Sequence, residues 1–458
     1  MVNIVIDEYI RKQLLIAGCL YLGHIAVGGA IGWSSPVVLK LKDPSLTPLQ
    51  EKTTDELSSW VGSTFHLGII IGPHISGPLS NVLGRKRCMI IGGVSNTVAQ
   101  LILAFSFNLP MIFVGRALAG MGLGIISVVN IVYIGEIASP NIRGIILTGS
   151  GVFHSLGTLI VYAVGPYLSY AGVGYVATAI AVVHVLAVFT IPESPIYYIL
   201  KGKKEETKDI LRLLGRGKDV DKELESISED VKEYKEKKTD WKELFTIKSN
   251  RKSLVIAVAM FILQQFSGML AATYFTQTIF ESANVKSIKS SLSTIIVGVT
   301  QFIGTIIVPF LIERSGRKTL TLVSLAGCCV GMVVLGTYFY LSDVNHEAIV
   351  NVGWLPLAAL MLSFFSFSIG LNITPNTFTC EMFRPNVRSV GSSIALTVGI
   401  CTGFISITTF GYLITAIGQS YTFWMFALIN GVGFIFTLFV VPETKGMTLV
   451  EIERMLSK

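Results

Sequence analysis

Residues 193–252 read ESPIYYILKGKKEETKDILRLLGRGKDVDKELESISEDVKEYKEKKTDWKELFTIKSNRK, and this run decides the fold. Thirteen lysines stand in it among many acids. On either side lie roughly 190 to 200 residues dominated by Leu, Ile, Val, Phe and Gly. A charged island between two apolar halves is a loop joining two membrane bundles. A linker between soluble domains is excluded, because each half repeatedly runs about 20 apolar residues in a row, too long for core helices. The whole chain agrees, with 51% hydrophobic and 14% charged residues.

About twelve spans follow from the apolar runs: 13–38, 59–80, 88–107, 111–133, 146–168, 172–191, 254–280, 291–312, 319–341, 353–377, 389–412 and 421–441. With the N-terminus inside, every Arg except Arg116 falls on the cytosolic side. The outer loops hold only Lys40, Lys42, Lys52, Lys286 and Lys289. That bias sets the orientation, with both termini cytosolic. The net charge of +7 therefore reports topology rather than nucleic-acid binding, and the macromolecular partner is the lipid bilayer. Arg11-Lys12 precedes an apolar run too long for a signal peptide, so the run is an uncleaved first span. The six cysteines lie in spans or on a cytosolic loop and form no disulfide framework. Within the island, residues 221–238 place Leu224, Ile227, Val231 and Tyr234 on one helical face, which predicts an amphipathic helix.

The chain repeats itself at half its length. Gly84-Arg85-Lys86 follows the second span and Gly316-Arg317-Lys318 the eighth. Glu136 precedes Arg143, and Glu381 precedes Arg388, by the same interval. Pro192-Glu193-Ser194 ends the sixth span, and Pro442-Glu443-Thr444 ends the twelfth. A duplicated six-span unit accounts for this. The expected domains are an N-terminal bundle (1–192), a cytosolic linker with amphipathic helices (193–252), a C-terminal bundle (253–441) and a cytosolic tail (442–458).

The motifs GRALAGMGLG (115–124), YIGEIASPNIRG (133–144), IPESP (191–195), QQFSG (264–268), ERSGRK (313–318) and PETKGMT (442–448) stand in order along nearly the whole chain. With them the sequence resembles the sugar porter branch of the major facilitator superfamily. The first span, AVGGAIGWSSPVVLKL (26–41), is similar to that of insect facilitated trehalose transporters. The resemblance implies an all-α fold of twelve transmembrane helices in two pseudo-symmetric halves. It implies facilitative transport of a sugar, trehalose or a hexose, by alternating access.

Polar side chains in a bilayer core are costly and face the bundle interior. Gln264 and Gln265 are the best candidates, since an amide donates and accepts as a polyol requires. The resemblance gives both positions sugar contact and puts Gln301 where the family carries Asn. It also exposes gaps: Gly151, Leu270 and Gly399 stand where the family carries Gln, Asn and Asn, and Asn376 where it carries Trp. His154, Thr158, Thr273, Tyr274, Asn372 and Asn376 are the expected substitutes. The charges Arg85, Glu136, Arg143, Glu193, Glu313, Arg314, Arg317, Glu381, Arg388 and Glu443 are the expected gating salt bridges at the cytosolic ends of the spans. Asn81, Val82 and Ile196 stand where relatives carry charge, so the stronger part of that latch is expected in the C-terminal half. The first span holds no mid-membrane acid, which favours uniport over proton symport. The chain has no metal cluster, nucleotide loop or catalytic triad pattern, so neither a cofactor nor an enzyme activity is expected. A transporter-like sensor that binds solute without moving it is the alternative.

Overall fold

The computed structural model describes the chain outside residues 1–7, 50–51, 216–219, 237–240, 284–287, 346–348, 350, 385, 448 and 458. The side chains of residues 8–9, 140–141, 230–236, 313 and 449–450 also lie outside what is described. Inside hydrocarbon each backbone N–H and C=O must find a partner within its own segment, so the apolar runs fold as helices.

The first span is α1 (Glu8–Gly32) and α2 (Ser34–Leu41), interrupted at Trp33. The next five are α3 (Asp55–Leu83), α4 (Arg85–Ala104), α5 (Leu109–Ile137), α6 (Pro140–Val164) and α7 (Tyr170–Thr190). The island carries α8 (Pro195–Leu200), α9 (Lys204–Leu214), α10 (Val220–Glu236) and α11 (Glu243–Thr246). The seventh span is divided into α12 (Lys248–Phe266) and α13 (Met269–Ser282). After α14 (Ser290–Ser315) and α15 (Arg317–Val344), the tenth span is divided into α16 (Leu355–Ile369) and α17 (Thr374–Met382). α18 (Arg388–Phe439) and α19 (Leu449–Ser457) complete the chain.

Ten stretches among the described residues are long and apolar enough to cross a membrane. One of them, α18, has 52 residues, about 78 Å of helix and more than twice a bilayer core. It is two spans, divided at Gly418, whose φ of 84° no helix contains. The remaining span is α3, which carries Asp55 and Glu56 in its first turn and Pro73 and Pro78 inside the helix. The fold is therefore an all-α membrane protein of twelve transmembrane helices in two pseudo-symmetric six-helix halves.

The island packs onto the spans by its apolar face. Leu211 and Leu214 of α9 are fully buried, and Leu214 joins a cluster with Ile16, Leu20, Ile137 and Ile142. Gln13 of α1 bridges this junction. Its amide nitrogen donates to the Leu214 carbonyl (2.8 Å) and to Ser139 Oγ (2.9 Å), and its oxygen accepts from the Ser139 amide (2.9 Å). The expected amphipathic helix is α10, with Leu224 8% exposed; Val231 and Tyr234 fall among the undescribed side chains. Lys208 of α9 pairs with Asp221 of α10 at 2.8 Å and holds that carboxyl below its ordinary range. The tail helix α19 buries Ile452 and Leu456 against Ile256, Met260 and Phe378.

Chain contacts group into two compact units. One comprises Met1–Ala30, Leu67–Gly157 and Ala171–Lys238; the other Ile31–His66, Thr158–Tyr170 and Thr239–Lys458. The second unit thus contains the whole C-terminal half together with the ends of the first, second and fifth spans that lie away from the arginine-bearing loops.

Candidate functional site

Two ion-pair nodes occupy equivalent places in the two halves. In the first, Arg85 opens α4 and meets Glu136 near the end of α5 through Nε (3.0 and 3.2 Å) and Nη2 (2.8 Å). Its Nη1 donates to the Ser80 carbonyl at 3.2 Å. Glu193 accepts from the backbone amides of Arg85 (2.9 Å), Lys86 (3.2 Å) and Ser194 (2.8 Å). It thereby neutralises the free N–H groups at the start of α4, where a carboxylate is favoured. The Ser194 hydroxyl donates to Glu136 and joins the two acids.

The second node repeats this part for part. Arg317 opens α15 and meets Glu381 through Nε (3.0 Å) and Nη2 (2.8 Å), and its Nη1 donates to the Ile312 carbonyl (3.3 Å). Glu443 accepts from the amides of Arg317 (2.9 Å), Lys318 (3.1 Å) and Thr444 (3.0 Å), and Thr444 Oγ1 donates to Glu381. Lys86 and Lys318 also match, donating to the carbonyls of Phe189 and Leu438, both at 2.8 Å. Gly84 (φ 98°) and Gly316 (φ 87°) are required: the backbone is left-handed there, and a Cβ would overlap the Glu193 or Glu443 carboxylate.

Each node lies within one half. The burial is asymmetric: the Arg85 and Glu136 side chains are 6% and 9% exposed, against 19% and 25% for Arg317 and Glu381. The more buried node is therefore in the N-terminal half. The side chains of Asn81, Val82 and Ile196 are not among those that make it. Arg143 and Arg388 depart from expectation too. Among the described residues neither meets a carboxylate; each donates from Nη2 to a carbonyl five residues back, Ala138 at 3.3 Å and Phe383 at 3.4 Å. Arg314 is exposed, and its carbonyl accepts from Lys445 at 2.7 Å. The Glu313 side chain lies outside the described residues.

The divided seventh and tenth spans expose backbone groups inside the apolar interior, and side chains answer them. Gly268, at φ 85°, opens α13. Asn430 Nδ2 donates to the Ser267 carbonyl at 2.9 Å. Gln264 Nε2 donates to the carbonyls of Leu371 (2.7 Å) and Asn372 (3.3 Å) in the break of the tenth span, and Ser324 Oγ accepts from the Leu371 amide. Gln264 is thus occupied in tying α12 to the α16–α17 break. Gln265 is half-buried, and its amide oxygen lies beside Gly403, next to His66 and Leu270. Tyr274, fully buried, stands 3.3 Å from His66 Nδ1 through its hydroxyl. Gln265 and His66 both border Gly403, and His66 meets Tyr274, so an amide, an imidazole and a phenol stand close together.

The other expected residues fall elsewhere. Gln301 of α14 is buried, with its amide oxygen unpartnered. Asn376 of α17 is exposed, and Asn372 and His154 are half-buried. Among the described residues no hydrogen bond joins Gln301 or Asn376 to the Gln265 group. Thr273 Oγ1 is taken by the Met269 carbonyl.

Sequence reading missed how α13 is held. Phe275 leaves helical geometry (φ −120°, ψ 15°). There the Gln277 amide donates to Ser35 Oγ of α2 (3.0 Å), and the buried Tyr162 of α6 donates to the Thr273 carbonyl (2.6 Å). Nearby, Ser59 Oγ of α3 accepts from the Gly411 amide of α18 at 2.9 Å. Hydroxyls inside apolar spans were the available signal. In the other unit, His184 is fully buried between Gly23 and Gly93, and neither of its ring nitrogens has a partner.

Two six-span halves with divided helices and a matched ion-pair node in each define a fold of the major facilitator type. A profile of the "Sugar (and other) transporter" family matches residues 15–456, and the chain belongs to that family. It is 34% identical over 448 residues to the facilitated trehalose transporter Tret1 of Aedes aegypti, covering 97% of this chain and 55% of that protein. It is 33% identical over 449 residues to Tret1 of Polypedilum vanderplanki, covering 97% of this chain and 88% of that protein. The inward-open xylose transporter XylE of E. coli matches with a TM-score of 0.80 at 22% identity, over 97% of this chain and 99% of its own. Its partially occluded form gives 0.79 at 23%, over 96% and 100%. At that identity the likeness speaks for the fold alone.

Proposed function

We propose that this chain carries a sugar, trehalose or a hexose, passively across the plasma membrane by alternating access. Both termini and the arginine-bearing loops face the cytosol, the chain sits in the lipid bilayer and binds no nucleic acid, and it catalyses no reaction. The observation that carries the reading is the group formed by Gln265, His66 and Tyr274 beside the Gly268 break. An amide, an imidazole and a phenol together offer both donors and acceptors, which is what a solute made of hydroxyl groups needs. The names of the Aedes and Polypedilum relatives favour trehalose. The absence of an acid within the first span favours uniport, since a carrier without a proton-binding carboxylate there has no obvious coupling group.

The second unit supports a closed outer side. The ends of α2, α3 and α6 in it hydrogen-bond to α13 and α18 through Ser35, Ser59 and Tyr162. In the alternating cycle these bonds break when the outer mouth opens. The two nodes stiffen the cytosolic ends of their own halves.

The test is uptake of labelled trehalose, glucose and xylose into proteoliposomes, with and without a protonophore. Saturable uptake at an unchanged initial rate is expected for at least one sugar. A severalfold loss with the protonophore would overturn the passive mechanism. Binding without uptake of any sugar would favour the sensor instead, a reading that Leu270 and Gly399 keep in play by supplying no polar group where relatives have Asn.

A further inference from the structure

A second polar cleft of about 440 Å³ lies at the end of the second unit remote from the arginine-bearing loops. It is separate from the Gln265 group. Its walls come from four places in the chain: the end of α2, the 3-10 turn Gly165–Tyr167, the last two turns of α13, and the start of α14. That size suits a mono- or disaccharide.

The cleft is built rather than incidental. Lys40 of α2 is only 8% exposed, and its ammonium donates to the carbonyls of Gly165 (2.6 Å) and Leu168. Those bonds fix the turn that presents Tyr167, a residue 71% exposed at the rim. Glu281 is held by Ser290, whose hydroxyl donates to it at 2.7 Å across the cleft. At the floor, Gln277 is 7% exposed, and its amide oxygen has no partner. The Gln277 backbone N–H is held by Ser35, which leaves the side-chain amide oxygen as the group without a partner. An unpartnered buried amide is costly unless something satisfies it.

We propose that this cleft is a recognition subsite for a neutral saccharide, where solute waits at the outer mouth while the gate is closed. The inference rests on the reading above that the chain carries sugar. The chemistry suits that class, and Glu281 and Lys289 leave the lining without a net charge. Tyr167 offers a flat apolar face for the C–H side of a pyranose ring. Glu281 accepts from sugar hydroxyls, and Gln277 both donates and accepts. Because Gln277 lies on the same kinked helix that Ser35 and Tyr162 hold, a sugar drawing on its amide would sit against the element that must move when the mouth opens.

Two measurements test it on the full chain: labelled trehalose and glucose fluxes in oocytes, and saturation-transfer NMR of the same sugars on protein in nanodiscs. The variants Tyr167→Ala and Glu281→Gln alter rim residues outside the core, and surface labelling checks their expression. The expected result is a three- to tenfold rise in influx KM. The maximal influx rate should stay unchanged. Because a passive carrier must keep the same ratio of maximal rate to KM in both directions, that ratio should fall equally for efflux, and the variants should lose part of the NMR saturation signal. Unchanged influx KM with an undiminished saturation signal would overturn the subsite, as would absence of any saturation signal from the parent chain. If the parent moves neither sugar yet its saturation signal falls in both variants, the subsite stands and the transport reading fails.

Discussion

Gln264 and Gln265 are neighbours in sequence with different tasks. Gln264 spends its donors on the Leu371 and Asn372 carbonyls, which the tenth-span break leaves without helical partners. Gln265 keeps its oxygen beside Gly403 and His66. Alanine at each position should therefore fail differently. Gln264→Ala strands two carbonyls in an apolar interior, at about 1–3 kcal/mol. It should lower the thermal midpoint of the purified protein by a few degrees. Gln265→Ala should leave that midpoint near the parent's and weaken apparent sugar affinity by about 1–2 kcal/mol, roughly five- to thirtyfold. Equal midpoint losses in both variants would show that Gln265 is structural as well. The amides were legible in the sequence, because an intramembrane Gln has few reasons to exist. Their division of labour was not, since it depends on where the tenth span breaks, 107 residues further on.

At the scale of elements, α13 is the piece where breaks in the helix and attachment to other spans come together. It begins at a left-handed glycine, departs from helical geometry at Phe275, and is held there by Ser35 from α2 and Tyr162 from α6. Tyr162→Phe removes the phenol that donates to Thr273, and Ser35→Ala removes the acceptor of the Gln277 amide. Each loss is about 0.5–1.5 kcal/mol, enough to move a two-state gate severalfold toward the outward-open form. A single cysteine placed beside Tyr274 should then react faster with a membrane-impermeant reagent added outside. No change in either variant would show that these bonds do not hold the outer mouth. Span positions were readable from hydropathy, and α3 was readable also from the Gly84-Arg85-Lys86 motif after it. The grouping of α2 and the ends of α3 and α6 with the C-terminal half was not, because single hydroxyls in apolar runs give no partner by periodicity.

For the whole molecule, the duplicated motif is a duplicated structure. Arg85, Glu136, Glu193 and Ser194 reappear as Arg317, Glu381, Glu443 and Thr444 with matching donors and acceptors. The repeat was legible; its wiring inside each half, rather than between them, was not. That wiring makes a quantitative prediction. Arg85→Ala leaves Glu136 in a site where it is 9% exposed, so the loss should approach the roughly 3–5 kcal/mol of a broken buried pair. Arg317→Ala leaves Glu381 at 25% exposure, where water screens the remaining charge, and about 1–2 kcal/mol is expected. Removing both arginines should cost the sum of the single effects to within about 0.5 kcal/mol, as for sites with no shared partner. Arg85→Ala combined with Glu136→Ala should instead cost much less than its two single effects together. Thermal unfolding of the five variants in one detergent gives the comparison. A coupling between Arg85 and Arg317 as large as that between Arg85 and Glu136 would mean that the nodes act as one latch across the halves, and the independent stiffening of each half would have to be abandoned.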